Sequence, residues 1–239
     1  MEGFKIKKKV IDEYKNIGNI DDKNENTVDN EINILKYVKG TDKHNIPILD
    51  SEQMIEDWFP KNENNQVFIS HSHEDAEVAK KLSLYLKKIK GWNCFIDSDV
   101  WGSCYKLIKK IDDVYNRLDH DNEGNLYSYE GCQKTTSDIY LMLTTAINKV
   151  INTCQVFIFI ESESSVEDSI TYSPWIMEEL NTFELLSTKN INEVINKDNS
   201  ENNKMMLLMP RMKISYKVDE ILETMKEIKN INEFRKIDL

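Results

Sequence analysis

The stretch VFISHSHED, residues 67–75, is an apolar run that stops in polar residues just before a helical pattern begins. Continuous apolar character with β-branched and aromatic members suits a strand covered on both faces, and such strands belong to sheets wrapped by helices. In open α/β sheets, ligands bind beyond the carboxyl ends of the strands. Ser70, His71, Ser72 and His73 stand at that end, so the search for a site starts with them. The competing reading is that Ser72 or His73 only ends the strand and caps the helix that follows.

Working outward, Ala76, Val78, Ala79, Leu82, Leu84, Tyr85, Leu86 and Ile89 recur at helical spacing and predict an amphipathic helix ending at Gly91. Cys94, Phe95 and Ile96 predict a short second strand that closes in Asp97, Ser98 and Asp99. Strand, helix and strand at this length form a βαβ unit, whose right-handed crossover makes the two strands parallel. Asp97 then faces the same sheet edge as Ser70. Residues 139–151 predict a largely buried helix, and residues 155–160, QVFIFI, a third strand. The next helix, over 172–186, has Ser173 as N-cap and Pro174 at its first position. Trp175 and Glu179, four apart, share one of its faces, whereas Glu178 is rotated away by roughly a quarter-turn. Residues 205–209 predict a fourth strand, Ile214, Tyr216 and Val218 a short fifth at the edge, and residues 220–229 a closing helix. The fold class that follows is α/β, an open parallel sheet of about five strands with helices on both faces.

Residues 1–65 are charged and rich in Asn, Lys and Asp, and are expected to form a helical extension without a core of its own. Val10, Ile11 and Tyr14 give one weak stripe; Ile32, Leu35 and Val38, with Tyr37 beside them, give another. Ser51 is expected to cap a third short helix, carrying Met54, Ile55, Trp58 and Phe59 and stopped by Pro60. The main domain spans 66–239 and carries an insertion of about 100–137, long for a connection inside a compact α/β domain. Residues 105–115 predict a helix within it. Residues 119–130, DHDNEGNLYSYE, set Asp119, Asp121, Gly124, Leu126 and Glu130 at the offsets of an EF-hand loop. Glu123 departs from that pattern, and residues 131–134 make a poor start for the motif's second helix. The segment is therefore read as a plain acidic turn rather than a calcium site.

A net charge of −11 on 239 residues argues against a polyanion binder, because proteins that track phosphates need a basic surface to displace counterions. No nucleic-acid partner is expected. Cys94, Cys104, Cys132 and Cys154 form no CxxC pair, so neither a disulfide framework nor a zinc site is expected. The Lys-rich N-terminus lacks the apolar stretch of a secretory signal, and no run approaches a membrane span, which points to a cytoplasmic protein.

VFISHSHED at the first strand, CFID at residues 94–97 and SPWIMEEL at residues 173–180 together resemble the bacterial branch of the Toll/interleukin-1 receptor (TIR) domain family. The resemblance covers residues 66–239, apart from the insertion, and leaves the N-terminal segment outside. It implies a flavodoxin-like sheet of five parallel strands, self-association through TIR domains, and roles in defence against phage. Many members cleave NAD⁺, with a catalytic glutamate four residues after a Trp; that position here is Glu179. The resemblance makes Trp175, Phe95 and Trp101 candidates to flank a nicotinamide or adenine ring. Ser70, His71 and nearby backbone donors become candidates to meet ribose or phosphate oxygens, and Asp97 is a further candidate for NAD⁺ binding. NAD⁺ would be a substrate, with no cofactor and no metal required, and a downstream effector could sense the product. Two other functions remain open: a non-catalytic TIR interaction module, and a nucleoside N-glycosyl transferase with Glu179 as nucleophile.

Overall fold

The computed structural model describes residues 1–14, 33–60, 64–101, 104–118, 126–187 and 214–238. The chain opens with strand β1 (Glu2–Lys7) and helix α1 (Lys8–Asp12), followed by a hairpin of β2 (Val38–Thr41) and β3 (Pro47–Leu49) and then α2 (Ser51–Trp58). Next come β4 (Val67–Ser70), α3 (Ala76–Lys90), β5 (Cys94–Phe95), α4 (Asp97–Val100), α5 (Cys104–Tyr115), α6 (Tyr129–Thr153) and β6 (Val156–Glu161). Then follow β7 (Ile170–Thr171), α7 (Pro174–Ser187), β8 (Tyr216–Lys217), α8 (Asp219–Glu223) and β9 (Lys226–Ile228), and a 3-10 helix, Ile231–Lys236, comes last. Five strands make one parallel sheet in the order β5-β4-β6-β1-β9, flanked by helices, as an α/β reading requires.

Period-two alternation divides the core between the two faces of this sheet. Val156, Ile158 and Ile160 of β6 share one face with Phe4 and Ile6 of β1 and with Val67 and Ile69 of β4. Val78, Leu82, Tyr85 and Leu86 of α3 cover it. On the other face Phe68 stacks between Phe95 and Phe157, at 5.7 and 5.5 Å, and Phe157 stacks on Phe183 of α7 at 5.0 Å. Helices α5, α6 and α7 close that side. Each of these buried aromatic side chains stabilises the fold by ~1.5–3 kcal/mol relative to exposure. The predicted end of α3 is present: Gly91 takes the left-handed conformation at φ 72°, and its N–H bonds to the Lys87 carbonyl.

Among its described residues the N-terminal segment carries short helices, α1 and α2, but is not a purely helical extension. Glu2–Lys7 forms β1, a central strand between β6 and β9, while Val38–Thr41 and Pro47–Leu49 form a hairpin. Phe4 and Ile6 alternate with Gly3, Lys5 and Lys7, so one face of β1 enters the core although its composition is basic. The side chain that caps α2 is that of Asp50 rather than Ser51; it accepts from the backbone N–H of Glu52 and of Gln53 at 3.0 and 3.2 Å.

Gly131, Cys132, Gln133 and Lys134 are not a break before a helix but the first turns of α6, because Ser128 caps it by accepting from the Gly131 N–H at 3.2 Å. Most of the acidic turn, residues 119–125, lies outside the described residues, as does the fourth strand expected over 205–209. Tyr216–Lys217 does not join the main sheet; it pairs antiparallel with Ile170–Thr171. The expected closing helix is split into α8 and the edge strand β9. Among the described residues no helix is long and apolar enough to cross a membrane.

Candidate active site at the carboxyl edge of the sheet

The carboxyl ends of β4 and β5 deliver Ser70, His71, Asp97 and Ser98 to one edge, and α7 approaches that edge with its first turns. Pro174 fixes the start of α7, and the Ser173 hydroxyl accepts from the Ile176 N–H at 3.3 Å. This start sets the helical phase, placing Trp175 and Glu179 one turn apart on a shared cavity of about 690 Å³. His71, Asp97, Ser98, Trp101 and Tyr105 line other parts of its wall.

Glu179 is the pivotal group. Its side chain is only 3% exposed, and the Ser70 hydroxyl, itself buried, donates to Oε2 at 2.5 Å. Burial pushes its carboxyl well above the ordinary range, the Asp97 charge adds to this, the Ser70 hydrogen bond opposes it, and Glu178 contributes a further rise. A carboxyl held this way in a cleft is a functional-site candidate on physical grounds. Glu178 is turned toward α6, where it accepts from the Asn148 amide at 3.2 Å, and Thr182 in turn donates to Asn148 at 2.5 Å. The quarter-turn between the two glutamates therefore separates a cavity carboxyl from a helix-packing one.

His71 is held from both ring nitrogens. The Ile69 carbonyl can only accept, so Nδ1 donates to it at 3.1 Å, and Nε2 shares a hydrogen bond with the Ser98 hydroxyl at 3.0 Å. Asp97 Oδ1 lies 3.8 Å from Nδ1. Trp175 packs edge-on against Tyr140 at 5.0 Å, and the Trp101 indole N–H donates to the Pro60 carbonyl at 3.2 Å. These contacts fix ring orientations in the wall. Burial raises the Cys104 thiol, which makes a thiolate nucleophile unfavourable there.

Of the residues singled out from the sequence, His71, Asp97, Trp101, Trp175 and Glu179 meet at the cavity. Ser70 stands behind Glu179 as its hydrogen-bond donor. Phe95 is fully buried in the core, packed against Phe68 and Trp101, and does not line the cavity. Sequence reasoning passed over Ser98, Tyr105 and the i, i+4 pair Leu143 and Ile147, which complete the wall from α4, α5 and α6. Helical spacing of the last two was the available signal.

Asp75 was also missed. It is 1% exposed and ties the start of α1 to two loops of the same edge, accepting from Lys8 Nζ at 3.0 Å, Ser72 Oγ at 2.7 Å and Ser162 Oγ at 2.5 Å. Burial opposes its ionisation, but the hydrogen bonds from Ser162, Ser72 and Lys8 outweigh this and hold its carboxyl below the usual value.

The lining carries Glu74, Asp97 and Glu179 but, among the described residues, neither Lys nor Arg. Such a wall favours a cationic or neutral group over an anion. Among the described residues no cluster of three or more His, Cys, Asp or Glu side chains is gathered to hold a metal ion. No protein-family model, no curated protein and no solved structure matches the chain.

Proposed function

We propose that this chain cleaves the bond between nicotinamide and ribose in NAD⁺, acting as an NAD⁺ nucleosidase of the TIR type. The observation that carries the reading is Glu179, buried at a cavity wall beside Asp97 and one helical turn from Trp175. In this reaction the C1′–N bond breaks, its electron pair goes to the ring nitrogen, and nicotinamide departs neutral. A strong general acid is unnecessary. What needs stabilising is the positive charge that moves to the ribose, and an ionised, fixed carboxylate does this electrostatically. Water then adds at C1′ and loses a proton, giving ADP-ribose; attack by an adenine nitrogen instead closes a cyclic product.

The acidic wall suits the cationic nicotinamide ring, with Trp175 and Trp101 available to flank it. His71, with both ring nitrogens engaged, orients the Ser98 hydroxyl, which lines the cavity and can meet a ribose hydroxyl. The resemblance adds self-association to this proposal, with the product or the loss of NAD⁺ serving defence against phage.

The test is nicotinamide release by the full chain and two variants, with circular dichroism to confirm folding. Glu179→Gln keeps the shape and removes the charge, so turnover should fall by on the order of 10² or more. Glu178→Gln should stay near parental turnover, because its partner is Asn148. Parental turnover in Glu179→Gln, or loss in Glu178→Gln alone, refutes the assignment. A pure interaction module would release no nicotinamide, and a trapped ribosyl–Glu179 adduct would identify a glycosyl transferase.

A further inference from the structure

The carboxyl groups of the Glu179 cavity are graded by depth. Glu179 stands at the dry end, 3% exposed, with the Ser70 hydroxyl bonding it from behind. Asp97, at the carboxyl end of β5, lines the wall with a side chain 35% exposed. Glu74, exposed and yet part of the lining, marks the mouth. It is held there, because the Ser164 hydroxyl donates to its Oε2 at 2.7 Å and so joins the turn after β4 to the loop after β6. That loop is anchored in turn, since Ser165 Oγ donates to the Ile160 carbonyl at 3.0 Å. The mouth therefore carries a fixed negative charge.

A substrate whose anomeric carbon meets Glu179 lies along this gradient. A ribosyl pyridinium sets its cationic ring and C1′ against the deep carboxyl, and its 5′ substituent runs outward to the open end of the cavity. A 5′-hydroxyl is neutral and meets no opposition there. A pyrophosphate brings negative charge toward Glu74 and Asp97, and like charges so placed repel.

We propose that the site takes the unphosphorylated nucleoside, nicotinamide riboside, in preference to the dinucleotide, and that Glu74 sets this preference. The inference rests on nicotinamide–ribose cleavage at Glu179 and names the substrate class of that reaction. The C1′–N bond breaks, its electron pair leaves with neutral nicotinamide, water adds at C1′ and releases a proton, and free ribose is the second product.

Nicotinamide release by the full chain is measured with nicotinamide riboside and with NAD⁺, at low ionic strength and again at about 1 M salt, where exposed charges are screened. The riboside should show the higher kcat/KM, and salt should narrow the gap. Glu74→Gln keeps an acceptor for Ser164 and removes the charge, so the riboside-to-NAD⁺ ratio should fall about threefold, the scale of one exposed charge interaction, with circular dichroism confirming the fold. A parent that prefers NAD⁺, or a ratio unmoved by Glu74→Gln, overturns the inference. Phosphate capture by His73, which lines the same cavity, is one such overturning case, and His73→Ala would then erase the NAD⁺ preference. NAD⁺ cleaved with the riboside spared refutes this inference alone, and release from neither refutes the cleavage reading as well. Release from the riboside only supports this inference and refutes the dinucleotide as substrate.

Discussion

Replacing Ile6 by Ala tests the most consequential feature of the fold, the entry of the N-terminal strand into the middle of the sheet. Ile6 is fully buried, with Ile160 of β6 on one side and Ile228 of β9 on the other. The substitution removes three carbon groups. At ~0.8 kcal/mol for each buried methylene, the transfer loss alone is about 2.4 kcal/mol. A cavity in a strand paired on both sides cannot collapse fully, so the total should reach about 3 kcal/mol, within the usual range for Ile→Ala. For a chain of this size that corresponds to a fall in Tm of roughly 6–12 °C. Urea and thermal unfolding by circular dichroism measure it, with the exposed Lys9→Ala as control, expected within ~0.5 kcal/mol of the parent. If Ile6→Ala unfolds like the control, residues 2–7 are peripheral and the central position of β1 is wrong.

Gly3→Ala should cost ~1–3 kcal/mol, since an added Cβ would lie 2.1 Å from Cζ of Phe183, whose ring is itself stacked on Phe157; unchanged urea midpoints would refute that packing. Asp75→Asn should destabilise at neutral pH. Because the folded carboxyl titrates below the ordinary value of 3.8, its stabilisation is present above that value and lost as pH falls through the folded one. The Tm gap between parent and variant should therefore close in acid, and a gap independent of pH would contradict it. Glu179 has the opposite sign: its folded carboxyl is raised, so the stability of the parent relative to Glu179→Gln falls as pH rises from 4.5 toward the raised value. Parallel Tm curves from pH 4 to 9 would exclude the buried carboxyl.

The strands β4, β5 and β6 were legible because a strand buried on both faces is written as an unbroken apolar run, and α3 because its stripe ends in Gly91. Trp175 and Glu179 were legible for a related reason: Pro174 fixes the helical phase, and phase alone separates Glu179 from Glu178. β1 was not, because it alternates. Only Phe4 and Ile6 carry its apolar face, and the lysines between and beyond them read as a solvated tail. β9 was lost in the same way, its three residues following α8 so closely that the pair read as one helix. Asp75 and Ser98 owe their importance to partners remote in sequence: Lys8 and Ser162 for one, His71 for the other. No local pattern marks such contacts.

The environment of Glu179 links binding to charge. Before a substrate enters, burial and the Asp97 carboxylate favour the protonated acid, with Ser70 the hydrogen bond that opposes them. A protonated Glu179 cannot stabilise a ribosyl cation. On the proposed reading, the positive nicotinamide ring supplies the missing counter-charge, and its arrival drives the carboxyl to ionise in the place where negative charge is needed. Once the glycosidic bond breaks, nicotinamide is neutral and the cation lies on the ribose, still beside the carboxylate. The favourable pairing thus moves from the leaving group to the reacting carbon as the bond stretches. A solvated glutamate, ionised at all times and screened by water, would offer less discrimination between substrate and transition state. On the same reading, the Ser70 hydroxyl, which donates to Oε2 from behind the cavity wall, holds the carboxylate in place for that step.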